Sequence, residues 1–219
     1  MCLVCLFLLT WRQVSYWRNN ITLYDHTLAV TGRNSIIHMN RGLAYWFVGN
    51  HKAAIEDINR TIEIDPRMAI AYLNLGVVYN SLRDYTRAIE AFNKAIEIDP
   101  KRGLIYLNLG VAYNSLRDYA RAIEAFNKAI EIDPLHDANY YNRGSVYEAL
   151  GDHMRAVMDF SRAIEINPRF APAHHSRGVA YRAMSDHARA TVDFTEASKL
   201  DPQFAVLYGA GTVDSKYIP

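Results

Sequence analysis

Between Ile70 and Leu82, residues 72, 73, 75, 76, 79 and 82 are apolar or small, a spacing that lays them along one side of a helix. Tyr85, Ala88, Ile89, Phe92, Ala95 and Ile96 do the same across Tyr85–Ile98. Asp84 stands between the two segments and predicts an N-cap, because its short side chain can accept from the N–H groups of a first turn. Asn50, Asp118, Asp152 and Asp186 take the same place elsewhere. Pro100 ends the second segment: it has no N–H and drives the preceding residue to extended backbone. The pattern therefore predicts a helical hairpin, with Gly76 and Ala88 small where its helices approach and Tyr79 and Phe92 filling the volume between hairpins. One hairpin buries too little apolar surface to stand alone, so a stack is the folding unit.

The hairpin recurs. Residues from Leu104 to Pro134 repeat those from Ile70 to Pro100 at an offset of 34, with only Ile70/Leu104, Ala71/Ile105, Val78/Ala112 and Thr86/Ala120 differing. Pro66, Pro100, Pro134, Pro168 and Pro202 keep that step, as do Gly42, Gly76, Gly110, Gly144 and Gly178. So do the tyrosines three residues after each glycine and the series Ile58, Phe92, Phe126, Phe160 and Phe194. A fixed period of this size marks a solenoid of one repeated unit. The lettering closely resembles the tetratricopeptide repeat (TPR), carried in the second unit by Tyr72, Leu75, Gly76, Tyr79, Ala88, Phe92, Ala95 and Pro100.

The resemblance runs from Ser35 to about Phe204 and implies an all-α, right-handed α-solenoid of TPR helix-turn-helix hairpins. The expected division is an apolar membrane-proximal segment over 1–18 and a half-repeat cap over 19–34. Five repeats follow over 35–68, 69–102, 103–136, 137–170 and 171–204, and a partial helix with a frayed tail occupies 205–219. In the half-repeat, Trp17, Ile21, Tyr24 and Leu28 match Tyr85, Ile89, Phe92 and Ile96, while Asn20 replaces an alanine and Gly32 the proline. A short helix is expected near Gln203–Tyr208, after which Gly209 and Gly211 break the match. The last hairpin thus lacks a polar cap, which leaves self-association open.

Met1–Trp11 is uncharged, apolar and shorter than the ~20 residues a membrane-spanning helix needs. Trp11, Arg12, Tyr16, Trp17 and Arg18 follow it, a mixture suited to a membrane–water boundary. Two readings stand: membrane association through residues 1–18, and an apolar helix packed on the first repeat. The run YWRN…LYDHTLAVT also resembles the junction between membrane domain and TPR array in multi-spanning glycosyltransferase-like proteins. That resemblance implies repeats on the non-cytoplasmic side, with a cytoplasmic setting as the alternative. The membrane domain that carries that family's catalytic acids is absent from the sequence, so enzymatic activity does not carry over.

Charge and chemistry narrow the function. The 219 residues carry 24 basic and 23 acidic side chains, dispersed and summing to +1, with no basic patch to follow nucleic-acid phosphates. Cys2 and Cys5 lack a second pair and read as apolar filler. His174 and His175, being adjacent on a helix, diverge by ~100° and cannot chelate one metal together. No nucleophile elbow, phosphate-cradling glycine loop or paired-carboxylate site stands out, so no catalysis, cofactor or metal is expected.

What remains is recognition. The TPR resemblance implies a concave groove lined by the first helices at positions 2, 5, 6, 9, 12 and 13 of each unit, counting Ser35 as position 1. Position 6 then carries Asn40, Asn74, Asn108 and Asn142, a ladder of amides resembling the one in O-linked N-acetylglucosamine transferases; Ser176 breaks it. Each amide offers donors and an acceptor, the inventory of an extended peptide backbone. Leu73, Leu107, Val77, Val111 and Tyr141 add apolar area, and Asn80, Asn114 and Arg182 add polar groups. Lysine and arginine are missing from positions 2, 5 and 6 of repeats 2 and 3, against a clamp for a chaperone's carboxylate tail. In the first repeat His38, Arg41 and Thr61 depart from the pattern, and Trp46 and Phe47 are expected either to face the groove or to pack on the half-repeat. The chain reads as a non-catalytic scaffold for a protein or peptide ligand.

Overall fold

A computed structural model describes residues 19–206, and among them the chain is all-α, as the period implies. Residues 1–18 and 207–219 lie outside the described residues, and with them the apolar segment, Cys2, Cys5, Trp17 and Tyr208. The first of two compact units, ending at Pro100, holds α1 (Asn20–Thr31), α2 (Ser35–Phe47), α3 (His51–Ile64), α4 (Ala69–Ser81) and α5 (Tyr85–Ile98). The second, from Lys101, holds α6 (Gly103–Ser115), α7 (Tyr119–Ile132), α8 (Asp137–Ala149), α9 (His153–Ile166), α10 (Ala171–Ala183), α11 (His187–Leu200) and the short α12 (Gln203–Val206). Within the first unit α2 pairs with α3 and α4 with α5, and α1 lies against α2. In the second the pairs are α6/α7, α8/α9 and α10/α11, and α12 lies against α11. Among the described residues no helix is long and apolar enough to cross a membrane.

Each hairpin turn uses one residue twice. The N–H of Arg83 reaches Asn80 O (3.0 Å) and that of Asp84 reaches Tyr79 O (2.9 Å), closing α4 in a Schellman arrangement. The Asp84 side chain then accepts from Arg87 N (3.1 Å) and opens α5. Asn50, Asp118, Asp152 and Asp186 repeat the device at 3.2, 3.1, 3.0 and 3.0 Å. The Schellman turn needs one left-handed residue. Gly49 and Gly151 supply it freely, whereas Arg83, Arg117 and Ser185 hold φ of 60°, 60° and 62° at a steric cost. In hairpins 2 to 5 the arginine after the cap also lies over the tyrosine that ended the first helix, for example Arg121 at 4.6 Å from Tyr113. At the far end of α5 the Asp99 N–H bonds Ala95 O (2.9 Å) just before Pro100 stops the helix.

Packing inside a hairpin rests on glycine against a ring. Phe92, Phe126 and Phe160 are fully buried, and each lies on the glycine of its own hairpin. A Cβ at Gly110 would meet Phe126 at 2.5 Å. Phe126 also packs with Leu107, Ala122, Ala129 and, from the next hairpin, Val146. It therefore locks its own helix pair first and fills the gap between hairpins second. Helix α1 is more loosely held: Asn19 and Thr22 form a capping box and Gly32 ends it, but none of its residues is buried.

Both the ring contact and the caps can be tested. Gly110→Ala should lower stability to denaturant by about 1–3 kcal/mol, because the ring has nowhere to go. Gly42→Ala should lower it less, since its Cβ would meet Ile58 Cγ1 at 3.1 Å and Ala54 O at 3.2 Å, longer contacts than the Phe126 ring at 2.5 Å; equal losses would contradict the ring argument. The caps set a pH dependence. Hydrogen bonds from Arg87, Arg121 and Arg189 hold Asp84, Asp118 and Asp186 below their ordinary pKa, and the Arg155 N–H and side chain do so for Asp152. Stability from these carboxylates should be complete above the ordinary carboxylate range near ~3.9 and decline as pH falls through the depressed folded values. Asp84→Asn with Asp118→Asn keeps cap acceptors but should flatten that decline in denaturant titrations; an unchanged acid limb would assign it to other groups.

Candidate functional site

Two contacts in the first unit define the face the first helices share. Asn74 Nδ2 lies 3.3 Å from Met39 Sδ, and Trp46 Nε1 lies 3.4 Å from Ser81 Oγ. They join positions 6 and 5, and 12 and 13, of consecutive repeats, so α2 and α4 meet along those registers. In the second unit α8 touches both α6 and α10. Asn40 and Asn74 in the first unit, and Asn108 and Asn142 in the second, are half-buried. Asn108 donates Nδ2–H to Leu104 O and Asn142 to Ala138 O, both at 2.8 Å. Each back-bond holds the amide on its own helix and uses one of two N–H groups, leaving the other and the carbonyl oxygen. Asn80 and Asn114 are half-buried as well, and no donor among the described residues reaches the buried Oδ1 of Asn80.

The apolar candidates divide. Leu73 and Leu107 are 2% and 8% exposed and belong to the core, because their register points between helices. They offer no open lining, which corrects the expectation for both. Val77 and Val111 keep part of their surface. Tyr141 packs its ring on Phe160 (5.8 Å) and Phe170 (5.0 Å), so only part of it is exposed. Arg182 is exposed, its guanidinium 5.5 Å from the Phe194 ring. Trp46 packs on the core formed by Met39, Ile58 and Leu75, toward α4 rather than toward the half-repeat, while Phe47 is 86% exposed.

The departures at position 7 prove to be buried ion pairs. Arg143 grips Asp159 through Nε (2.8 Å) and Nη2 (2.7 Å), and Arg177 grips Asp193 at the same distances. Arg41 holds Asp57 at 2.6 and 2.7 Å, joined there by His38 Nδ1 at 2.9 Å. The remaining nitrogen reaches back sixteen residues to the preceding second helix: Asp25 for Arg41, Asn127 for Arg143, Ser161 for Arg177. Asp57, Asp159 and Asp193 occupy the place of Ala91 and Ala125, and the arginines that of Leu75 and Leu109. The swap of Leu with Ala for Arg with Asp, sixteen residues apart, is the signal that finds the pair in the sequence. The aspartate hydrogen bond raises each arginine's pKa against the opposing effect of burial.

Three histidines of the second unit also pack on neighbours. His153 Nδ1 lies 2.9 Å from Glu148, and His174 is buried between Asp193 (3.5 Å) and Pro168 O (3.1 Å). His175 stacks on Phe194 (5.8 Å) and Phe204 (4.9 Å), and burial pushes its pKa down, with Arg182 adding to the effect.

Comparison with protein families matches residues 33–101, 67–134 and 139–170 to models described as tetratricopeptide repeat. No curated protein sequence matches the chain. Among solved structures, that of the MamA protein is 27% identical, with a TM-score of 0.68 over 83% of this chain and 99% of that one. YrrB, described as a TPR protein with an unusual peptide-binding site, is 21% identical, with a TM-score of 0.64 over 85% of this chain and 97% of that one. TTC0263, a thermophilic TPR protein of Thermus thermophilus, is 19% identical, with a TM-score of 0.67 over 81% and 98%. The last two likenesses concern the fold alone.

A double-mutant cycle separates the ion pair from its surroundings. Arg143→Leu should cost about 3–5 kcal/mol by stranding Asp159, and Asp159→Ala a similar amount by stranding Arg143. The double variant reproduces the Leu75 and Ala91 arrangement and should return to within ~1 kcal/mol of the parent. Additive losses in denaturant melts would show that the pair does not act as a unit.

Proposed function

The chain belongs to the tetratricopeptide-repeat family, and on that premise we propose that it is a non-catalytic scaffold that takes an extended peptide of a partner protein on its first-helix face. One observation carries the reading: half-buried asparagines recur at position 6 on that face, in each unit. Their amides match the alternating N–H and C=O groups of an extended backbone, so a peptide is held with little regard to its side chains. Back-bonding to Leu104 O and Ala138 O already fixes the Asn108 and Asn142 rotamers, which reduces the entropy lost when a ligand is gripped. Val77 and Val111 supply apolar area beside the amides, and a few polar groups orient the ligand, the usual division of labour in a binding surface.

The test is calorimetry with a peptide selected by display against the full chain. Asn108→Ala with Asn142→Ala should weaken binding by about 2 kcal/mol, roughly thirtyfold, at ~1 kcal/mol per lost hydrogen bond. The melting temperature should stay close to that of the parent, because both side chains are partly exposed. Unchanged affinity in the double variant would rule out the amide ladder.

A further inference from the structure

Resting on that reading, we propose that Arg182 selects an acidic side chain: the ligand is an extended peptide, uncharged over most of its contact, with one aspartate or glutamate seated against α10. The charge inventory of the face carries the assignment. At positions 2, 5, 6, 9, 12 and 13 of the second unit's first helices, every residue from Leu104 to Ser145 is uncharged. Beyond them only Glu148, His175 and Arg182 can ionise. Glu148 is held by His153 at 2.9 Å. His175 is packed against Phe194 and Phe204, where burial favours its neutral form.

Arg182 differs from both. It is exposed, and among the described residues no carboxylate lies within ion-pair distance of it. By contrast Arg177 and Arg189 of the same hairpin hold Asp193 and Asp186. Phe194 backs the guanidinium at 5.5 Å, which limits its motion and leaves its edge donors for a ligand. A planar guanidinium fork fits a carboxylate through two parallel hydrogen bonds, and such charge-assisted bonds are the strong ones. Helix α12 continues beyond α10, with Phe204 on His175, so Arg182 does not stand at the end of the face. The group it meets is therefore a side chain within the run, not a chain terminus.

The experiment uses the full chain and displayed peptides of about twelve residues, enough at ~3.3 Å each to cross α6, α8 and α10. Their C-termini are fused to the carrier. The tightest binder is synthesised with both ends blocked, beside a version whose acidic residue is replaced by its amide. Calorimetry should show the acidic peptide binding the parent roughly tenfold tighter than the amide version. Arg182→Gln should abolish that preference, and Arg182→Lys, which keeps the charge but loses the fork, should retain only part of it. Binders without an acidic residue, equal affinities in the parent, a preference that survives Arg182→Gln, or binding regained only with a free C-terminus would each overturn the assignment. Asn108→Ala with Asn142→Ala distinguishes the two proposals. Weaker binding of both peptides with the acid preference intact supports both. Unchanged binding sinks the amide ladder and leaves Arg182 to be judged by its own arms.

Discussion

A phenyl ring pressed on a bare glycine sets the geometry of four hairpins. Gly76, Gly110, Gly144 and Gly178 have no Cβ, so the rings of Phe92, Phe126, Phe160 and Phe194 can press against the backbone of the facing helix. That approach fixes the spacing within a pair and thereby the direction in which the other positions of the first helix point. In the first hairpin Ile58 stands in for the ring, and Gly42 has correspondingly more room. The side chains that could meet a ligand hold their registers because this contact, on the opposite side of the helix, holds the pair.

The core accepts two chemistries at one place. Hairpins 2 and 3 pack Leu75 on Ala91 and Leu109 on Ala125, while the others place a bidentate arginine–aspartate pair there. Buried ion pairs are weak stabilisers, since desolvation offsets their attraction, but they are strict about partners. The third nitrogen of each arginine adds a bond to the helix before it, which a leucine cannot do. The charged version thus adds a polar tie between each such hairpin and the helix before it, and the apolar version supplies burial without that tie. Neither adds a charge at positions 2, 5, 6, 9, 12 or 13 of the first helices before Glu148.

Much of this is legible in the residues. The 34-residue period implies helical hairpins, Tyr85–Ile98 agrees to the residue, and the five N-caps stand where a short polar side chain precedes an apolar period. Three features were not legible. Arg83, Arg117 and Ser185 adopt left-handed backbone although their residue type opposes it, because the double use of the following aspartate requires it. Asp57, Asp159 and Asp193 look like solvated charges until each is compared with the residue sixteen earlier. Leu73 and Leu107 were placed by their register in a repeat, which does not say how closely the neighbouring helix covers them. In each case the missing term is a neighbour in space, not a property of the residue.

Ligand held on the first helices by their amides has a signature that can be read in solution. A nuclear magnetic resonance titration of the isotope-labelled full chain with a selected peptide follows the side-chain NH2 signals of asparagine one by one. Shifts should concentrate at Asn108 and Asn142, with Asn59, Asn93 and Asn127 on the second helices unmoved. Shifts confined to the second-helix asparagines would contradict that placement.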